Sequence, residues 1–166
     1  YYFYMCWRVE YIVLIIISTV VDYLCAIKMG DLHEKYKRKP YLIISIVTNL
    51  GLLFIFKYFN FFSDSLNDLF NYINIFYQSP TFDLLLPVGI SFYTFQSISY
   101  TVDVYRGKIK ACKNFLDFSL YVSFFPQLVA GPIERGSRLL PQILNSRLFS
   151  KENIINGLYC FFWGFF

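Results

Sequence analysis

The sequence predicts an all-α fold, a polytopic membrane helix bundle in which one segment is kinked or re-entrant. Three observations predict it. Of 166 residues, 57% are hydrophobic, 22% aromatic and only 16% charged. That is poor in charge beside a soluble domain, which carries roughly a quarter. The excess lies in long blocks of Phe, Tyr, Ile and Leu, more large side chains than a soluble interior of this size can hide. The blocks are also continuous rather than alternating, which favours helix over strand.

Length predicts one domain, 1–166. The chain starts without Met and stops inside the apolar run Gly157–Phe166, so it reads as a fragment. Apolar spans are expected at 11–27, 41–60 and 84–104, with a truncated span at 154–166. A crossing helix needs about 20 mostly apolar residues, and the first three qualify once their aromatic flanks are counted.

The charges sort between the connections. Residues 28–40 carry Lys28, Lys35, Lys37, Arg38 and Lys39; residues 105–114 carry Arg106, Lys108, Lys110 and Lys113. Between them, 60–83 holds only Asp64, Asp68 and Asp83. Basic short loops stay cytoplasmic, which places both basic turns inside and 60–83 outside. The net charge of +4 is therefore a topology signal, and no nucleic-acid partner is expected. The partner implied by composition is membrane lipid.

The fourth apolar segment, 115–133, breaks this alternation because both its flanks are basic. It contains the kink residues Pro126, Gly131 and Pro132. Proline removes a backbone donor, and broken backbone at membrane depth needs protein or a water-filled cavity around it. The segment is expected to enter and return, or to lie kinked in the bundle; a simple fourth span is the alternative. In the outer connection, Leu66, Leu69, Phe70, Ile73 and Phe76 recur at helical spacing. They predict an amphipathic interfacial helix over 63–77, capped by Ser63.

Aromatic clusters such as Tyr58–Phe62 mark segment ends and fit an interfacial belt. Cys6, Cys25, Cys112 and Cys160 form no CxxC pair and read as small packing residues, with lipidation of Cys112 as a lesser alternative. Ionisable groups within spans are costly and need partners. Asp22 lies in the first span. Asp103 and Arg106, three apart, would share a helix face as an ion pair that fixes the helix end. Gln96, Ser97, Ser99 and Gln127 join them as polar groups expected to line the core or a tunnel. The single His33 sits among charges in a turn and is expected to be solvated. No catalytic constellation and no metal spacing appears, so neither role is assigned. Discontinuous helices would also suit a transporter or channel, and a membrane scaffold is the third reading.

Two blocks carry a resemblance. Leu86-Pro-Val-Gly-Ile-Ser-Phe-Tyr-Thr-Phe-Gln-Ser-Ile-Ser-Tyr-Thr-Val-Asp-Val-Tyr-Arg-Gly107 resembles a hallmark of bacterial membrane-bound O-acyltransferases. Asn114–Arg135, continued by Leu139-Leu-Pro-Gln-Ile143, resembles the stretch that follows it in the branch that O-acetylates alginate and related polysaccharides. The resemblance implies a ring of membrane helices crossed by a tunnel, in the cell's cytoplasmic membrane. It implies transfer of an acyl group from a cytoplasmic thioester donor, acetyl-CoA or a carrier-protein thioester, to a polysaccharide hydroxyl. No cofactor is expected to remain bound. An extracytoplasmic acyltransferase partner is implied too, and D-alanyl transfer to teichoic acid is the related alternative. The family's catalytic histidine lies in a later segment and no position here matches it, so this stretch alone is expected to be inactive. Arg135 and Arg138 flank the kinked segment and are expected near a cytoplasmic mouth, where they would attract an anionic donor.

Overall fold

A computed structural model of the chain describes residues 11–32, 34–73, 89–128, 133–145 and 150–165. Helix α1 (Tyr11–Asp31) has 21 residues, enough for the ~30 Å of a hydrocarbon core. Helix α2 (Lys35–Leu53) runs through a π-helical turn, Phe54–Tyr58, into α3 (Phe59–Tyr72). Helices α4 (Ile90–Tyr105), α5 (Phe115–Val122), α6 (Phe125–Leu128), α7 (Gly136–Leu144) and α8 (Lys151–Trp163) follow. Among the described residues there is no strand, and the all-α expectation holds.

Helices α1, α2 and α4 pack against one another as a three-helix core. Helix α5 lies against α1, α4 and α7, and both α6 and α7 touch α4. Polarity is inverted relative to a soluble bundle. Ser18, Asp22, Ser45, Asn49, Ser97 and Thr101 are fully buried, while Val13, Leu24, Val47 and Phe61 are more than half exposed. Two helical stretches, Tyr11–Asp31 and Lys35–Phe70, are long and apolar enough to cross a membrane. Most of their surface faces outward rather than into a protein core, the distribution expected where lipid is the solvent.

Three expectations need correction. Helices α1 and α2 run far into 28–40, so that among the described residues only Leu32 and Glu34 leave the helix there. The basic side chains therefore project from solvated helix ends rather than from a long loop. Ser63 starts no helix: it is buried inside α3, which continues α2 rather than starting afresh. No Pro or Gly lies between Leu52 and Gln78 to interrupt the ladder of i→i−4 hydrogen bonds, so the amide of Ser63 never becomes an orphan needing a cap. The stretch expected as an interfacial helix over 63–77 is helical through Tyr72 as an extension of the second helix; residues 74–77 lie outside the described residues.

The segment 115–133 is no single helix. Helix α5 has eight residues, about 12 Å of rise, too short to cross a bilayer. The chain leaves the helix at Ser123–Phe124, and exposed Pro126 opens the four-residue α6. Gly131 and Pro132 lie outside the described residues, as do His33 and 84–88 of the expected third span.

Two glycines bracket α4 within the block 86–107. Gly89 (φ 76°) turns the chain into the helix, and its carbonyl accepts from the amides of Phe92 and Tyr93 at 2.9 and 3.1 Å. Gly107 (φ 73°) ends it in a left-handed cap. There the Gly107 amide donates to Val104 O and the Lys108 amide to Asp103 O, both at 2.9 Å. Both positions need a conformation that a side chain disfavours.

Past Gly107 the basic turn folds back on the core. Tyr23 Oη donates to Lys113 O at 2.6 Å, and the Cys112 amide donates to Tyr100 Oη at 2.8 Å. A Cβ on Gly30 would sit 3.1 Å from that of Ala111. The two basic turns thus share one end of the bundle. At the other end, Lys57 Nζ donates to Ser91 Oγ at 3.1 Å. Cys112 is buried by this turn, its thiol 3.4 Å from the Asn114 carbonyl. Burial pushes the thiol above its ordinary range, so the nucleophilic thiolate that lipidation needs is suppressed.

Above the turn, Tyr100, Phe118 and Tyr121 cluster with ring centroids 4.7, 5.8 and 6.0 Å apart. The first residue of α7, Gly136, sits against them. A Cβ there would lie 3.1 Å from Tyr100 Cδ2 and 3.4 Å from Tyr121 Oη. Gly136→Leu overpacks this contact and should cost about 1–3 kcal/mol. The intact protein in detergent should melt several degrees lower, whereas an unchanged midpoint would show that α7 does not close on the aromatic cluster.

Candidate functional site

Each helix of the core brings one pair of polar residues, four apart, to the shared axis: Ser18 and Asp22 on α1, Ser45 and Asn49 on α2, Ser97 and Thr101 on α4. Spacing of four places both members on one face. Asp22 Oδ1 accepts from Ser45 Oγ at 2.6 Å. Asn49 Nδ2 lies 2.8 Å from both carboxyl oxygens. The Asn49 amide is oriented from its other side by Ser18 Oγ, which donates to Asn49 Oδ1 at 2.7 Å. Ser45 Oγ lies 3.1 Å from Thr101 Oγ1, whose own hydroxyl turns back to Ile98 O at 3.0 Å. The buried Ser97 hydroxyl stands beside the carboxyl group.

No cation among the described residues reaches Asp22. The group is held by neutral donors alone, which must be well aligned where water is excluded. The set contains no nucleophile beside a base, so what it can do chemically is fix the helices and present polar atoms to the interior. Among the described residues, no three His, Cys, Asp or Glu side chains gather as they would to hold a metal ion.

The residues expected to line the core separate in space. Gln96 is buried and ties α4 to α5: its Nε2 donates to Tyr121 O at 2.8 Å, and Tyr121 Oη donates to Gln96 O at 3.3 Å. Ser99 is half-buried on the same helix. Gln127 is half-buried on α6, and its enclosed Oε1 meets no donor among the described residues. Asp103 is buried, but the expected ion pair with Arg106 is not formed: Arg106 caps α4 and points its exposed side chain away. The helix end is held by backbone instead, through the Lys108 amide on Asp103 O. Arg135 and Arg138 are exposed around the start of α7. Between them, Gly136 lies close to Ile109 of the basic turn, which puts both arginines at the cationic end.

Sequence reasoning singled out Asp22 and missed its partners. The available signal was Ser45 and Asn49, two polar residues four apart in an otherwise apolar run, matching Ser18 and Asp22 in the run before it.

The network makes a measurable claim about coupling. Asn49→Ala strips Asp22 of its bidentate donor, and Asp22→Ala strips Asn49 of its acceptor; each should destabilise by about 1–3 kcal/mol. Together they should cost less than their sum by about 1 kcal/mol in a double-mutant cycle of unfolding in detergent. Strict additivity would show that the two side chains do not depend on each other.

Comparison with known proteins places this arrangement. The chain is 40% identical over 168 residues to the protein named probable alginate O-acetylase AlgI of Pseudomonas aeruginosa. It is 39% identical over 166 residues to the protein of the same name from Pseudomonas syringae pv. tomato. It is 34% identical over 191 residues to the peptidoglycan O-acetyltransferase of Helicobacter pylori. Each alignment covers 99% of this chain but only 32–35% of the relative, so the chain spans about a third of the length of the curated relatives it matches. No family model and no solved structure matches it. Similarity along nearly the whole chain bears out the resemblance to the O-acetylating membrane-bound O-acyltransferases.

Proposed function

We propose that the whole protein is a multi-pass O-acyltransferase of the cytoplasmic membrane that moves an acetyl group from a cytoplasmic thioester to a hydroxyl of a cell-surface polysaccharide. One observation carries this reading: 34–40% identity over 99% of the chain to relatives named for O-acetylation of alginate or peptidoglycan. The exposed apolar faces of α1 and α2 support the membrane setting. The relatives' names favour acetyl transfer over transport, scaffolding or D-alanylation.

In such a reaction the acyl carbon exchanges its bond to the donor sulfur for one to the acceptor oxygen. The hydroxyl proton leaves with the departing thiol by way of a base, and donors steady the oxyanion in between. No described residue is set to be that base, and in the proposed reading proton transfer falls to another part of the protein. This chain supplies a wall: the locked core of α1, α2 and α4, with the broken α5–α6 segment lying against it. Arg135 and Arg138, exposed at the cationic end, suit the mouth through which an anionic donor such as acetyl-CoA arrives. An extracytoplasmic acyltransferase would complete delivery to the polymer.

Deleting the gene from its host should remove alkali-labile acetate from the envelope polysaccharide, and the wild-type gene should restore it. Ester-bound acetate that stays at the parental level would overturn the function. With the complete enzyme in proteoliposomes, Arg135→Ala with Arg138→Ala should raise the apparent KM for donor about tenfold at low salt and leave kcat in place. A KM that does not move would remove the arginines from the donor's path.

A further inference from the structure

A second feature of the cationic end is a cleft of about 630 Å³ between the turn after α4 and the helices α1 and α2. Gly30 and Asp31 of α1, Arg38 of α2, and Gly107, Lys110 and Lys113 of the turn line it. Three cations thus face one carboxylate. Arg38 is half-buried, and its Nε donates to Leu32 O at 2.6 Å. That bond holds the guanidinium in place while its terminal nitrogens make no bond to the protein among the described residues. Lys110 and Lys113 are exposed and have no ion-pair partner among the described residues.

The backbone of the turn adds donors. Among the described residues, the amides of Lys110, Ala111 and Lys113 bond to no group of the protein, whereas the neighbouring amides of Lys108 and Cys112 are engaged. Gly30 and Gly107 put no side chain over this part of the wall. Preset cations and unused amides around one concavity match the oxygens of a phosphate group, which accepts from both.

We propose that this cleft binds the phosphate of an anionic ligand, either a phospholipid headgroup or a soluble phosphate ester. The cleft is distinct from Arg135 and Arg138, and phosphate binding there does not require acyl transfer.

The test uses the intact protein in nanodiscs. One arm measures retention of phosphatidylglycerol against phosphatidylcholine by native mass spectrometry; the other measures the thermal shift with adenosine 3′,5′-bisphosphate and with inorganic phosphate. Lys110→Gln with Lys113→Gln should weaken binding about tenfold per lysine, and high salt should weaken it further. Lys28→Gln with Lys108→Gln removes the same charge from the same end but outside the cleft, and should leave binding intact. Retention of phosphatidylglycerol lost in Lys110→Gln with Lys113→Gln identifies the headgroup as the source; a shift with the bisphosphate lost in the same variant, but kept in Arg135→Ala with Arg138→Ala, identifies the soluble ester. Equal loss in both variants, or no phosphate binding by the wild-type protein in either arm, overturns the proposal. Because Arg38 also anchors Leu32, its Gln variant serves only as a second reading, and only where its melting midpoint matches the wild type.

Discussion

A carboxyl group inside an apolar bundle has no water to satisfy it, so its neighbours must do so. Asp22 meets that demand with Ser45 and Asn49 on the next helix, and Ser18 in turn orients the Asn49 amide. Once these donors are spent on one another, α1 and α2 have a single register in which every partner is met. Sliding either helix by one residue would rotate its polar pair about 100° off the shared axis and leave buried polar atoms bare. Thr101 of α4 packs against the same network, its Oγ1 3.1 Å from Ser45 Oγ. Polar contacts set the register of the three-helix core, alongside buried Leu14, Ile15, Met29, Leu53, Ile90 and Val104, as expected where lipid competes equally for apolar side chains.

Around that core the polarity is reversed. Exposed Val13, Leu24, Val47 and Phe61 would be a liability in water; against acyl chains they cost nothing. Small and hydroxyl-bearing residues lie inside because they let helices approach closely and bond to each other. The aromatic cluster of Tyr100, Phe118 and Tyr121 then binds the short α5 and α7 to the core where neither is long enough to span by itself. A broken segment is tolerable here because Gln96 and Tyr121 satisfy backbone carbonyls of each other's helices.

Cations collect at one end because three separate pieces of chain converge there. The α1–α2 turn, the turn after α4 and the start of α7 meet through Gly30, Ala111, Ile109 and Gly136. Such convergence concentrates positive potential at one face. An acyl donor and a phosphate-bearing ligand would both be drawn to it, at different side chains. At the opposite end, Lys57 and Ser91 pin the π-helical turn to the start of α4.

Much of this was legible in the chain. Long uninterrupted apolar runs, basic residues gathered in alternate connections, and the two blocks 86–107 and 114–135 pointed to helix, to a membrane setting and to the relationship, because hydropathy, charge placement and motif order are properties of the covalent sequence. Pro126 signalled a break in 115–133. What only the tertiary structure decided depends on distances between residues far apart in sequence. Asp22 finds Asn49 across 27 positions, and Tyr23 finds Lys113 across 90, while Asp103 is buried and Arg106 stays exposed at the helix end without pairing. Local spacing predicted a cap at Ser63 and an ion pair at 103–106. Continuous backbone bonding in one case, and burial of Asp103 beside an exposed Arg106 in the other, decided differently, since burial and helix continuation are settled by the folded chain rather than by local spacing.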